Sequence, residues 1–203
     1  MKIIAIGRNY AAHAKELNNA VPTKPIIFLK PDTAVLKDNK PFYIPSFSSD
    51  IHYELEVVLK ICKEGKHIAE KFAGNYYDEI GLGIDFTARD IQNQHKEKGL
   101  PWELAKAFDN SAAISNFLPK EDFVDMYDLK FELQINKQNR QNGHTANLIF
   151  SFENIIAFVS QYITLKKGDM IFTGTPEGVG QVKQGDHLEA WLEGKQMLNF
   201  NIK

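Results

Sequence analysis

Short runs of residues along the chain alternate between apolar and polar positions, or are rich in β-branched and aromatic side chains. Both patterns are typical of β-strands, in which successive side chains point to opposite faces of a sheet. They predict eight strands, at 2–7, 25–30, 54–62, 80–88, 129–136, 169–173, 187–193 and 197–203. The chain is therefore expected to be rich in β-structure.

Helical periodicity is clearest after Ser151, a residue type that favours the N-cap position. Apolar residues then recur at steps of three and four up to Ile163, which predicts a helix that packs through one face. Two shorter and more polar helices are predicted at 9–17 and 89–98, and Gly99 stops the second. Strands outnumber long helices and no linker or repeat divides the chain, so we predict a single β-rich α+β domain over 1–203.

The composition is that of a folded, water-soluble protein. Of the 203 residues, 43% are hydrophobic and 25% are charged, and a chain of this length can bury a core without disulfide or metal cross-links. The formal net charge of -2 provides no basic field. Nucleic acids and membrane surfaces are therefore not expected as partners.

Features that report on the cellular compartment point to the cytoplasm. The single cysteine, Cys62, cannot form an internal disulfide, and the N-terminus becomes polar by Arg8, too early for a signal peptide. No apolar run approaches the roughly 20 residues needed to cross a bilayer. We expect a cytoplasmic protein without a membrane anchor.

Three acidic residues are the strongest chemical signal in the sequence. The strand period of two places Glu54 and Glu56 on one face of a predicted strand. Because acid-x-acid pairs arise often by chance, a solvated strand face is the alternative. Asp85 ends an otherwise apolar, glycine-rich strand, where a charge needs a partner. Three carboxylates without a Cys or His cluster favour Mg²⁺, Mn²⁺ or Ca²⁺ over zinc.

The segments that carry these acids resemble those of a known family. The similar segments are 7–16, 30–31, 52–56, 85–90, 98–102, 106–109 and 173–180, and they occur in the order found in the fumarylacetoacetate hydrolase family. The chain looks like the short, single-domain branch that includes acylpyruvate hydrolases and oxaloacetate decarboxylases. The resemblance implies a mixed β-roll with short flanking helices, a homodimer, and Mg²⁺ or Mn²⁺ held by Glu54, Glu56 and Asp85, with Ca²⁺ as an alternative ion.

A histidine and a glutamate form a candidate general base. His13 and Glu16 lie three residues apart on a predicted helix, so they share a face, and a carboxylate beside an imidazole favours its taking a proton. From the residues alone, an ordinary surface contact is the alternative. The resemblance implies a catalytic pair on a lid that closes over the metal site, with 18–25 as its flexible part.

Further site residues are predicted through the resemblance. It implies that Lys106 is catalytic and that Gln92 contacts the substrate, although from the residues alone Lys106 is a surface lysine and Gln92 lies on a helix surface. The segment 173–180 reads as a tight turn, and the resemblance implies that Gly174 and Thr175 approach the ligand and offer backbone N–H groups.

Other residues with chemical potential receive no catalytic role. Arg8 and Arg89 are either carboxylate partners of a ligand or members of buried ion pairs. We expect Trp102 to lie in the core and Cys62 to be a small buried hydrophobe rather than a nucleophile.

The leading functional hypothesis is metal-dependent cleavage of a C–C bond in a small 2,4-dioxo acid or β-keto acid. Acylpyruvate hydrolysis and oxaloacetate decarboxylation both pass through a pyruvate enolate stabilised on the metal. One alternative keeps the site but isomerises or tautomerises a 2-oxo dicarboxylate. The other is a non-catalytic β-rich module that binds a structural ion.

Overall fold

The computed structural model describes residues 1–17 and 20–203. The strands are β1 (Ile3–Gly7), β2 (Ile26–Lys30), β3 (Val35–Leu36), β4 (Ile51–Tyr53), β5 (Leu55–Ile61), β6 (Tyr77–Asp85), β7 (Thr87–Ala88), β8 (Ala112–Ile114), β9 (Leu118–Pro119), β10 (Lys130–Ile135), β11 (Gln138–His144), β12 (Met170–Phe172), β13 (Gly180–Gln181), β14 (His187–Leu192) and β15 (Lys195–Asn201). The helices are α1 (Ala11–Glu16), α2 (Glu70–Ala73), α3 (Arg89–Lys98), α4 (Glu103–Lys106) and α5 (Phe152–Tyr162).

The strands form three sheets. The largest is eight-stranded, in the order β2-β1-β12-β5-β6-β8-β3 with β9 also paired to β6. It is mixed, because β1 runs parallel to β12 and β3 parallel to β8, while the other pairs are antiparallel. A four-stranded antiparallel sheet and a three-stranded sheet complete the fold. The predicted β-rich class, with a mixed sheet and short flanking helices, is confirmed.

All eight predicted strands are present, and the run at 80–88 divides into β6 and β7. The glycine-rich character of β6 has a packing reason, since a Cβ at Gly83 would overlap the ring of Phe172. The predicted cap of α5 also forms, because Ser151 Oγ accepts a hydrogen bond from the Asn154 N–H at 3.2 Å. In the described part of the chain, no helix is long and apolar enough to cross a membrane.

The large sheet brings several chain ends to one edge. Strands β1, β12 and β6 point in one direction and β5 points in the other. The carboxyl ends of the first three therefore meet the amino end of β5. The acids near β5 and β6, helix α1 after β1, and the loop after β12 consequently lie around a single pocket.

Candidate active site

Three buried carboxylates converge at this edge of the sheet. Glu54 directly precedes β5, Glu56 lies in β5, and Asp85 ends β6, with exposed fractions of 5%, 2% and 0%. One carboxylate oxygen from each residue lies within 4.8 Å of the others. Oxygen ligands around one Mg²⁺ or Ca²⁺ ion stand at about 2.0 to 2.6 Å from it, so this spacing fits a shared ion. The alternative of a solvated strand face is wrong.

Cationic side chains contact two of the three acids. Lys106 Nζ donates to Glu54 Oε2 at 2.8 Å and to Asp85 Oδ2 at 2.6 Å. Lys30 Nζ lies 2.6 Å from Asp85 Oδ1, and Arg89 Nη2 donates to Glu54 Oε1. Three carboxylates thus face three cations and their formal charges cancel. Of the two readings of Arg89, the structure shows the buried ion pair.

The ion pairs give the acids of the site different pKa shifts. Burial alone would raise the pKa of Glu54, but the Lys106 ammonium and the Arg89 guanidinium hold it below its ordinary value. Burial alone would lower the pKa of the Lys106 ammonium, but Asp85 and Glu54 raise it. Glu56 has no cationic partner among the described residues, and burial followed by the charge of Asp85 raises its pKa well above the ordinary value.

The donor set retains unused lone pairs for a dication. The oxygens of Glu54 and Asp85 each contact one cation, and each carboxylate oxygen has a second lone pair. Glu56 Oε2 accepts from the Gly174 N–H at 2.6 Å. An all-oxygen set of three acids suits Mg²⁺, Mn²⁺ or Ca²⁺, and Glu56 is the acid that no cationic side chain of the described residues contacts and that a metal would contact instead.

Of the predicted histidine–glutamate pair, His13 lines the same pocket and Glu16 contacts this histidine from the exposed side of α1. His13 is buried on α1, and its Nδ1 lies 3.2 Å from Glu16 Oε2. Glu16 Oε1 accepts from the Gly178 N–H at 3.0 Å, which ties α1 to the loop after β12. The pair is therefore more than a surface contact, although its catalytic role stays a prediction. Of the predicted flexible segment 18–25, residues 18 and 19 lie outside the described residues.

Of the three predicted substrate-binding residues, two line the pocket and one does not offer its N–H group to a ligand. Gln92 and Thr175 are buried and line the pocket. Gly174 differs from the prediction, because its N–H is bound to Glu56 rather than free for a ligand. Its φ of +105° favours glycine, and a Cβ there would lie 2.6 Å from the Cβ of Asn9.

Several important residues escaped the sequence analysis. Lys30 is fully buried, and its ammonium also donates to the carbonyl and hydroxyl oxygens of Ser111, each at 3.0 Å. Gln141 Nε2 donates to Thr175 Oγ1 at 2.9 Å and so holds the loop after β12. The similarity of segment 30–31 to the family was a sequence signal for Lys30. No sequence signal pointed to Gln141, which is a glutamine in a polar strand.

Two expectations about core residues are corrected. Trp102 is half-buried and lies on the pocket wall, with its ring centroid 6.0 Å from that of Phe28. The cause is its place between the end of α3 and α4, which turns the ring toward the pocket. Cys62 is partly exposed just beyond the end of β5, and its Sγ donates to the Asn75 carbonyl at 3.6 Å.

Comparisons with known proteins agree with this architecture. A family model described as fumarylacetoacetate (FAA) hydrolase C-terminal matches residues 2–203. Oxaloacetate tautomerase FAHD1, mitochondrial, from Homo sapiens is 43% identical over 201 residues, which cover 99% of this chain and 91% of the human protein. Oxaloacetate decarboxylase, mitochondrial, from Dictyostelium discoideum is 42% identical over 194 residues, which cover 95% of this chain and 89% of that protein.

A solved structure shows the same fold with ligands bound. Fumarylpyruvate hydrolase from Pseudomonas aeruginosa, in complex with Mn²⁺ and pyruvate, superposes with a TM-score of 0.95. The two sequences are 34% identical, and the match covers 100% of this chain and 89% of that one. With the family model matched over nearly the whole length, the chain belongs to the fumarylacetoacetate hydrolase family.

Proposed function

We propose that the protein is a divalent-metal-dependent enzyme of small oxo acids, and that its principal reaction is the interconversion of the enol and keto forms of oxaloacetate. The observation that carries the proposal is the convergence of Glu54, Glu56 and Asp85 in one pocket with His13, whose Nδ1 contacts Glu16. The human relative described as an oxaloacetate tautomerase supports it. Tautomerisation, an alternative in the sequence analysis, thus becomes the leading reaction.

The chain's own residues can carry out the proton transfers. Ketonisation moves one proton from the enol oxygen at C2 to C3, while the C2–C3 double bond becomes a C2–O double bond. His13, oriented by Glu16, is the candidate for moving the proton, and the Lys106 ammonium, which bridges Glu54 and Asp85, would supply positive charge near the reacting oxygen. Glu54, Glu56 and Asp85 would hold a metal that, when bound, polarises the keto oxygen as a Lewis acid.

C–C bond cleavage is the second candidate. The His13–Glu16 pair could equally deprotonate a water molecule, which then attacks the distal carbonyl of an acylpyruvate. Decarboxylation of oxaloacetate needs no such water, because loss of carbon dioxide leaves the pyruvate enolate directly. The relatives described as an oxaloacetate decarboxylase and a fumarylpyruvate hydrolase support keeping both cleavage reactions in the test.

One experiment separates the candidate reactions. Freshly dissolved oxaloacetate is incubated with the protein, and the enol absorbance and pyruvate release are followed in parallel, with acetylpyruvate as a second substrate. We expect accelerated loss of enol, abolished by EDTA and restored by Mn²⁺ or Mg²⁺. If pyruvate is released but the loss of enol is not accelerated, the principal reaction is C–C bond cleavage rather than tautomerisation. If EDTA lowers only the melting temperature and neither reaction exceeds the uncatalysed rate, the non-catalytic ion-binding module is correct.

The catalytic pair predicts a defined loss. His13→Ala should lower kcat by at least ~10²-fold, the lower end of general acid–base contributions. His187→Ala is the matched control, because His187 is a partly exposed histidine on β14 whose Nδ1 lies 2.8 Å from Asn201 Oδ1. Stopped-flow measurement of enol decay with saturating metal provides the rate. An unchanged kcat in His13→Ala would remove the pair from the mechanism.

A further inference from the structure

One face of α3 forms a polar ridge along the pocket. Arg89, Gln92 and Lys96 are spaced three and four residues apart, so they project from the same side of the helix. All three line the pocket that contains the carboxylates. Gln92 Oε1 accepts from Arg89 Nη1 at 2.6 Å, and Arg89 also binds Glu54, so the two inner residues of the ridge are tied to each other and to the acids.

Lys96 differs from its two neighbours on the ridge. Among the described residues, its ammonium has no hydrogen-bond or ion-pair partner. It is half-buried, and Nζ lies 5.8 Å from the centroid of the Trp102 ring. Helical side chains lean toward the helix N-terminus, which directs this lysine back toward Gln92. Lys96 is half-buried whereas Arg89 and Gln92 are buried, so it forms the outer part of the pocket lining, toward the mouth.

The surroundings of this ammonium are cationic. Burial, together with the positive charges of Arg89 and Arg8, lowers the pKa of Lys96 to about 8. Arg8 lines the same pocket with a left-handed backbone φ of +61°, an uncommon conformation for arginine. A lysine enclosed by like charges and without a protein carboxylate is an incomplete ion pair, and an anionic ligand would complete it.

Charge balance favours a ligand with more than one negative charge. The three acids of the site are already matched by Lys30, Lys106 and Arg89, so the two charges of a bound dication and those of Arg8 and Lys96, which also line the pocket, have no protein anion opposite them among the described residues. A dicarboxylate would offset more of this positive charge than a monocarboxylate, provided that its second carboxylate has its own cationic contact.

We propose that Lys96 is a specificity residue that binds the second carboxylate of a dicarboxylic oxo acid at the mouth of the pocket. The proposal rests on the proposed function and extends it to the substrate class. Lys96 lies one turn beyond Gln92, about 6 Å along the helix axis.

Binding of two matched ligands tests the proposal. Malate and lactate are both 2-hydroxy acids, and malate alone carries a second carboxylate. Ligand-observed NMR on the Mg²⁺-loaded protein should show that the wild type prefers malate, and that Lys96→Met weakens malate binding about tenfold with lactate binding unchanged. Lys96→Arg should retain the preference. Lys98→Met, an exposed charge at the end of the same helix, is the control and should behave as the wild type.

Turnover provides the second readout. Lys96→Met should raise the KM for oxaloacetate about tenfold with a smaller change in kcat. Equal losses for malate and lactate, or no loss for either, would overturn the proposal and reduce Lys96 to a structural partner of Trp102. If wild-type protein binds malate better than lactate yet turns over no oxaloacetate, the specificity site stands and the proposed function fails. A wild type that does not distinguish malate from lactate also overturns the proposal.

Discussion

Glu56→Gln is expected to lower turnover of oxaloacetate by ~10³-fold or more while leaving the metal-free protein as stable as the wild type, or more stable. The substitution removes an anionic metal ligand, and metal ions stabilise developing charge by several kcal/mol, of which about 1.4 kcal/mol corresponds to each factor of ten. Measurement of kcat/KM and of the Mn²⁺ dissociation constant, together with thermal unfolding in EDTA, tests both parts.

The stability expectation follows from the electrostatics of Glu56. A carboxyl whose pKa is raised on folding costs stability at every pH above its unfolded value of about 4.3, so at neutral pH the burial of the Glu56 carboxyl opposes folding. A neutral amide of the same shape removes this cost. Glu189→Gln is the matched control, because Glu189 lies on β14 in another sheet and accepts from Gln196 Nε2 at 2.9 Å. If Glu56→Gln in EDTA is less stable than the wild type, the ionisable Glu56 carboxyl does not oppose folding and the prediction is wrong.

The metal-site acids could be predicted because their positions obey local rules. Glu54 and Glu56 follow the period of two of a strand, and Asp85 interrupts an apolar run where an unpaired charge is costly. What the local pattern leaves open is the depth of burial. That depends on the pairing of β5 with β6 and on the side chains of α3 and α4 above the sheet edge, which are long-range contacts.

Lys30 shows where local reasoning ends. A lysine at the end of a short strand is usually solvated, since its burial requires a partner elsewhere in the chain. Here Asp85 and the backbone near Ser111 provide that partner, at sequence separations of 55 and 81 residues. Such distances carry no periodicity, so the burial of Lys30 and its pairing with Asp85 emerge only from the tertiary fold.

Strand β11 was missed for a different physical reason. Its inward positions include Gln141 and Gly143 rather than branched or aromatic residues, so the segment shows no apolar alternation. A Cβ at Gly143 would overlap the ring of Phe131, which fills the space from β10. The buried Gln141 instead receives the Leu55 N–H at 2.9 Å and supports the loop after β12. A strand that serves the site through polar contacts thus lacks the usual signature of a strand.

Lys106→Met is expected to reverse the stability pattern of Glu56→Gln. The buried Lys106 ammonium bridges Glu54 and Asp85, so its removal leaves less-compensated buried carboxylates and should destabilise the metal-free protein by about 3 to 5 kcal/mol. For a chain of this size that lowers the melting temperature by roughly 10 °C. Because the removed charge repels a dication in the same pocket, the variant should also bind Mn²⁺ more tightly.

Metal should therefore rescue the fold of Lys106→Met but not its chemistry. Added Mn²⁺ should raise the melting temperature of this variant more than that of the wild type, since ligand stabilisation grows with affinity. Turnover should stay at least ~10²-fold below wild type, because the charge beside the reacting oxygen is lost. Lys98→Met, an exposed lysine at the end of α3, is the control. Equal Mn²⁺-induced shifts in Lys106→Met and wild type would mean that the ammonium does not compete with the ion, so that its bridge between the two acids is purely structural.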